Sequence, residues 1–169
     1  MTDTPHGPIA TPHRPIATRT EFHDALREAF AEIAQVGCRE AWLCDEDFAD
    51  WPLNERAVIE LLTHWAAAHR KLTVIARGYD DVVRRHPRWV QWRRQWSHVV
   101  ECRAFEDAET GQIPTLLLAS DLVCVRLVDP LRHRGALSRD PAELLHQREL
   151  VDAVSQRSIE SFAPTVLGL

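Results

Sequence analysis

The chain has no continuous apolar run near the roughly 20 residues that a membrane-spanning helix requires, so no span is expected. Its first residues contain no apolar core of the signal-peptide kind, which makes a cytoplasmic location the expectation. There is no P-loop, no Gly-x-Gly dinucleotide fingerprint, and no glycine-rich elbow around Ser120 or Ser138 that would expose a nucleophilic hydroxyl. The cysteines are Cys38, Cys44, Cys102 and Cys124, and none forms a CxxC pair. Without closely spaced ligands they read as free buried thiols in a reducing compartment rather than a zinc site. His64 and His69 are five residues apart, off the i, i+4 spacing that would turn both toward one metal. No metal and no cofactor is therefore expected. A net charge of −5 supplies no global attraction to nucleic acid or to an anionic membrane, so any such role needs a local patch.

What is present is ordinary for one globular domain: 169 residues, 45% hydrophobic and 27% charged. The start is a tandem repeat, PHGPIAT over Pro5 to Thr11 and PHRPIAT over Pro12 to Thr18. Its prolines forbid a helix, and residues 1–18 read as a disordered leader. A single α/β domain is expected over 19–161 and a short tail over 162–169.

Thr18 and Glu21 make a capping box for a helix whose Phe22, Leu26, Phe30 and Ile33 recur at helical spacing up to Gly37. A strand is expected at Glu40 to Cys44, a helix from Asn54 to His69, and a strand at Leu72 to Ala76. A helical region broken near Pro87 then runs from Asp80 to Trp96, before a strand at Val99 to Phe105. IPTLLLASDLVCVRL reads as a hairpin, with strands at Pro114 to Ala119 and Leu122 to Leu127 around Ser120 and Asp121. Asp140, Pro141 and Glu143 open a last helix reaching Ser158. The order is α-β-α-β-α-β-β-β-α. A three-layer α/β domain follows, with a mostly parallel sheet and an appended antiparallel hairpin.

Three groups of residues could carry chemistry. Asp45, Glu46 and Asp47 follow the first strand at its carboxyl end, where open α/β sheets gather ligands. An apolar strand running into Asp-x-Asp resembles magnesium-dependent phosphatases, but Phe48 and Ala49 stand where Gly-Thr is expected. The segment Arg84 to Trp96 carries Trp89, Trp92 and Trp96 on one helical face with Arg84, Arg85, Arg88, Arg93 and Arg94 nearby. Such a helix either binds nucleic acid by charge and stacking or packs its indoles on the sheet. The third group is Arg126, Arg132, His133, Arg134 and Arg139, whose guanidinium groups could give forked contacts to a phosphate.

From Thr20 to Ser161 the element order resembles a half-domain of the phospholipase D-like superfamily, and also an uncharacterised proteobacterial domain of that fold. The likeness rests on AWLCDEDFADWPLNERAVIELLTHWAAAHRKLTVIAR followed by a helix, a strand and the hairpin. In that family the hairpin carries His-x-Lys-x4-Asp. With Asp121 in the aspartate position, Leu116 stands in the lysine position and Pro114 in that of the nucleophilic histidine. The resemblance therefore implies a domain without catalytic residues, acting as a binding or scaffolding module. The expected ligand is an anion or phosphate-bearing molecule at the Arg126–Arg139 loop, and a homodimer is expected because half-domains of the family pair. The alternatives are a magnesium-dependent phosphohydrolase using Asp45 and Asp47, or a nucleic-acid binder using helix 84–96.

Overall fold

A computed structural model describes residues 13–164. The leader expected over 1–18 thus lies mostly outside the described residues, but its end is ordered. His13–Ile16 forms strand β1, which pairs antiparallel with Arg134–Ser138. Pro15 is tolerated there because β1 is the edge strand, where no neighbour needs its missing N–H.

Helix α1 (Arg19–Val36) begins as expected. The Thr18 hydroxyl accepts from the Glu21 amide at 3.1 Å, and the Glu21 carboxylate accepts from the Ala17 amide at 2.8 Å. Gly37 ends it at φ 88°, a value a β-carbon disfavours. Strand β2 (Glu40–Cys44), helix α2 (Arg56–Ala66), strand β3 (Lys71–Ala76), helices α3 (Asp80–Arg85) and α4 (Pro87–Gln95), and strand β4 (Val100–Ala104) follow. Then come β5 (Thr115–Ala119), β6 (Val123–Asp129), a 3-10 turn at Pro130–Arg132, β7 (Arg134–Ser138), α5 (Pro141–Gln156) and β8 (Ile159–Glu160).

All eight strands form one sheet in the order β1-β7-β6-β5-β2-β3-β4-β8. The expectation of a mostly parallel sheet is wrong. Only β2·β3 and β3·β4 are parallel, and the five other neighbouring pairs are antiparallel. The hairpin is not an appendage at the edge. It enters beside β2, so β5, β6, β7 and β1 extend an antiparallel half outward from the centre. The segment expected as part of the Arg126–Arg139 loop contains strand β7, whose sequence RGALS is short and begins with a charge and a glycine. That glycine is required: a β-carbon on Gly135 would lie 1.8 Å from the Arg126 carbonyl oxygen, beside an irregularity in the β6–β7 register.

Side-chain alternation on the central strands divides the core into two layers. Ala41, Leu43, Leu117 and Val125 face α1 to α4, together with Phe22, Phe30, Trp65, Trp89 and Trp92. Trp42, Cys44, Leu116, Leu118 and Cys124 face Leu144, Val151 and Val154 of α5. Helix α5 buries less than its sequence suggests, since Leu145 is 62% exposed. The C-terminal segment is anchored where Phe162 stacks on Tyr79, with ring centroids 4.8 Å apart.

Candidate functional site

Because β2 and β3 are parallel, the segments leaving their carboxyl ends emerge side by side. The Asp45 amide donates to the Ile75 carbonyl and the Arg77 amide to the Glu46 carbonyl. Asp45 is spent on holding this loop. One carboxylate oxygen accepts from the Thr115 hydroxyl at 2.6 Å and the other from the Phe48 amide at 2.8 Å. Burial raises the Asp45 pKa, and those hydrogen bonds oppose the rise. Phe48 then takes a left-handed conformation, φ 58°, that buries its ring completely. Its carbonyl accepts from His86 Nε2 at 2.8 Å. Asp47 accepts from the Ala49 amide, and Glu46 pairs with Arg77, whose guanidinium also reaches the Ala108 carbonyl at 2.6 Å.

The loop after β6 crosses the same end of the sheet. Asp129 caps the 3-10 turn, and His133, left-handed at φ 53°, turns its ring inward. His133 Nε2 lies 3.1 Å from Asp50, which also accepts from Arg19 at 2.9 Å. Burial alone would raise the Asp50 pKa, but the Arg19 and His133 hydrogen bonds bring it below the usual carboxylate value.

Between the two loops lies a cleft of about 890 Å³. Asp45, Glu46, Asp47, Asp50 and Asp129 line it, against Arg77 and His133, so acids outnumber bases among its charged groups. Its apolar side includes Phe22, Ile113, Leu127 and Trp51. Trp51 is 3% exposed, and its indole Nε1 has no hydrogen-bond partner among the described residues. A buried donor without an acceptor is costly, which marks a place that an acceptor atom could fill.

The basic residues expected to share an anion do not all meet: Arg126 and Arg134 line one pocket of about 430 Å³ with His13 and Glu143, but Arg132, His133 and Arg139 are not part of its lining. Arg126 points to the α5 side and donates to Gln147 at 3.0 Å. Arg139 is clamped by Glu32 and Glu28 of α1. Arg132 pairs with Asp129, and Arg134 is exposed on β7. Only His133 of the five lines the acidic cleft. The three family-motif positions are spread along β5. Pro114 and Asp121 flank opposite ends of β5, and Leu116 is fully buried beneath α5. Asp121 occupies a left-handed turn position, φ 58°, a conformation that aspartate tolerates better than most residues.

In the helix at 84–96 the indoles pack inward. Trp89 and Trp92 are buried, and Trp92 Nε1 donates to the Thr63 hydroxyl at 3.1 Å. Arg93 is buried too, donating to the Val100 carbonyl at 3.0 Å, and Arg88 binds the Asn54 carbonyl. Five of the six tryptophans are in the monomer core, so they offer no pairing face; Trp96 is half-buried. All four cysteines are buried and unpaired. Among the described residues no group of three or more His, Cys, Asp or Glu side chains is placed to hold a metal ion. Sequence reasoning missed Asp50, Trp51, Arg77 and Thr115, because each joins the cleft through tertiary contact rather than through local spacing.

Neither protein-family models nor curated proteins give a match to this sequence. Solved structures do. TrmBL2, an archaeal chromatin protein that shows a novel mode of DNA binding, is similar with a TM-score of 0.61 at 13% identity. The similarity covers 95% of this chain and 57% of that one, so this chain corresponds to little more than half of the archaeal protein. Nuc from Salmonella typhimurium, a phospholipase D family member, is similar with a TM-score of 0.53 at 5% identity, over 81% of this chain and 91% of Nuc. At these identities the likeness is one of fold: this mixed α/β chain has a phospholipase D-like fold.

Proposed function

We propose that this protein is a catalytically silent domain of phospholipase D-like fold that serves as a binding module. Its ligand is taken in the cleft at the carboxyl ends of β2 and β3. The observation that carries the reading is the contrast between the two places where chemistry could reside. Pro114 and Leu116 offer neither a nucleophile nor a cation, and Leu116 is 0% exposed. The cleft, by contrast, gathers carboxylates, a histidine and a buried unpartnered indole donor around about 890 Å³, a volume suited to a small molecule. Acid-lined walls accept hydrogen bonds. The ligand is therefore rich in donors, hydroxyl or amine, with one acceptor for Trp51, and an anion would meet repulsion from Asp45, Asp47 and Asp50.

Asp45 serves the fold in this reading, not phosphoryl transfer. Both its oxygens already accept hydrogen bonds from Thr115 and Phe48. The test is a thermal-shift panel of polyols, amines, phosphate and sulfate on the wild-type protein and on Asp47→Asn. Stabilisation by a donor-rich compound, weakened in the variant, supports the cleft. Stabilisation by phosphate or sulfate that disappears when Arg132 and Arg134 become alanine assigns the ligand to the loop after β6 instead. Turnover of a phosphodiester, with or without Mg²⁺, defeats the silent-domain reading.

A further inference from the structure

The opposite end of the sheet carries a second cleft of about 720 Å³, open to solvent, at the amino ends of β2, β3 and β4. Here the charge is reversed. Arg39 precedes β2, Arg70 precedes β3 and Lys71 opens it, and His98 lies before β4, so basic residues gather where three parallel strands begin, with Glu40 in register with Lys71. Neighbouring strands are about 4.8 Å apart, which makes this a row rather than a scatter. Lys71 is the only lysine in the chain. Arg148 of α5 closes one side, with its guanidinium 4.2 Å from the Trp42 ring centroid.

The acids nearby do not cancel the row. Arg148 is shared between Asp152 at 3.2 Å and Glu40 at 4.0 Å, and Lys71 has only a loose contact with Glu101 at 3.9 Å. Asp121 is the remaining acid in the lining. Arg39 has no carboxylate partner among the described residues. Arg70 gives its Nε to the Trp65 carbonyl at 3.4 Å and lays its guanidinium over Gly37 at the end of α1, with no carboxylate partner among the described residues. Ala67 and Ala68 keep one wall low, and the half-buried Trp96 presents an indole beside His98, with ring centroids 5.7 Å apart. Unpaired guanidinium groups next to an accessible aromatic edge suit phosphates linked to stacking bases.

We infer that this amino-end groove binds a single-stranded nucleic acid, with Arg39, Arg70 and Lys71 on the phosphates and Trp96 beside a base. The surface is separate from the carboxyl-end cleft, so the two readings stand or fall independently. The sequence pointed at the arginines of helix 84–96, but of that segment only Trp96 reaches the groove.

The test uses the full chain and a fluorescein-labelled twelve-residue oligo-dT, followed by anisotropy from low to moderate salt. Three phosphate contacts give a slope of log K against log salt of about −2. Arg39→Gln with Lys71→Gln reduces the slope to about −0.7 and weakens low-salt binding at least tenfold, while Arg84→Gln with Arg85→Gln binds as wild type. Because Lys71 is the sole lysine, its acylation by an amine-reactive reagent, read by peptide mass, is a second measurement, and the oligonucleotide protects it. The inference is overturned by no binding at low salt, by loss of binding in the Arg84/Arg85 variant rather than the Arg39/Lys71 variant, or by Lys71 reacting equally with and without the strand. Protection by pyrophosphate at the same phosphate concentration also overturns it, since the groove would then be a small-phosphate site.

Discussion

Replacing Arg139 with alanine separates a structural arginine from an anion-binding one. The Arg139 guanidinium donates to both oxygens of Glu32, at 2.7 Å from Nη2 and 3.2 Å from Nε, and to Glu28 at 3.2 Å. It thereby ties the residue after β7 to the middle of α1, across the sequence gap between the antiparallel half and the first helix. The Glu32 hydrogen bond is the leading reason its pKa is raised. Glu28 is held below its usual value first by Arg14 and then, against the cost of burial, by Arg139. An exposed ion pair contributes about 0.2–1 kcal/mol. This one is forked and shared by two carboxylates, and removing it leaves Glu28 and Glu32 one helical turn apart as like charges. Discounted for solvent screening at a side chain 34% exposed, the loss is about 1–2 kcal/mol. At about 2–4 °C per kcal/mol for a chain of this size, Arg139→Ala melts roughly 2–8 °C below wild type. Circular dichroism melts in low salt and in 1 M NaCl measure it, and the gap narrows in high salt. A melt within 1 °C of wild type, together with lost stabilisation by phosphate, refutes the clamp and restores Arg139 to an anion site.

Leu116→Lys, which introduces the residue that the resembled motif carries there, places an unpaired charge beneath α5 and costs at least about 4 kcal/mol in urea denaturation, with no phosphodiesterase activity gained. Burial pushes Cys38 and Cys102 up to about 11 and Cys124 up to about 12, so the native protein at pH 8 resists a thiol-specific disulfide reagent, and all four cysteines react once it is unfolded. Since five indoles are consumed by the core, light scattering at tens of micromolar gives the monomer mass of 19.3 kDa; twice that value would mean that a pairing face exists elsewhere. Burial raises the folded pKa of Asp45 above its unfolded value, so its ionised form weakens the fold at neutral pH and that penalty is relieved as pH falls through the folded pKa. Stability of Asp45→Asn relative to wild type therefore declines between pH 7 and pH 4, and a flat difference across that window contradicts the assignment.

Local signals made the helices and the central strands legible. The Thr18 capping box, the Gly37 stop, the Pro87 break and the Asp140-Pro141 start are each decided by a few neighbouring residues, and all four fall where the sequence puts them. Sheet topology is not written in that way. LTVIA and TLLLA are equally apolar, yet β3 has parallel neighbours on both sides and β5 antiparallel ones. What decides the difference is the connection: helices lead from β2 to β3 and from β3 to β4, whereas a helix-free loop leads from β4 to β5. The cleft was half legible. Asp45 and Asp47 stand at a strand end, a position with a rule attached, and His133 sits in a loop already suspected. Asp50 and Trp51 carry no local mark; they come to His133 and Phe22 only after α1 docks on the sheet.

The three hairpin positions that correspond to the motif of the phospholipase D-like family each have a structural task in this chain. Pro114 is buried at the entrance to β5, where a proline needs no ladder donor. Leu116 fills the layer shared with Trp42 and α5. Asp121 supplies the left-handed residue of the turn, closed by the Leu122 amide donating to Ala119 at 3.1 Å. A nucleophilic histidine and a phosphate-binding lysine would need open space at the carboxyl end of the central strands. That end is bounded by Thr115 on Asp45 and by the Phe48 turn on His86. Introducing the motif would thus remove core packing, because the polar groups around it already bond one another. The cleft at this end is lined by the carboxylates of Asp45, Glu46, Asp47, Asp50 and Asp129 together with Thr115 itself.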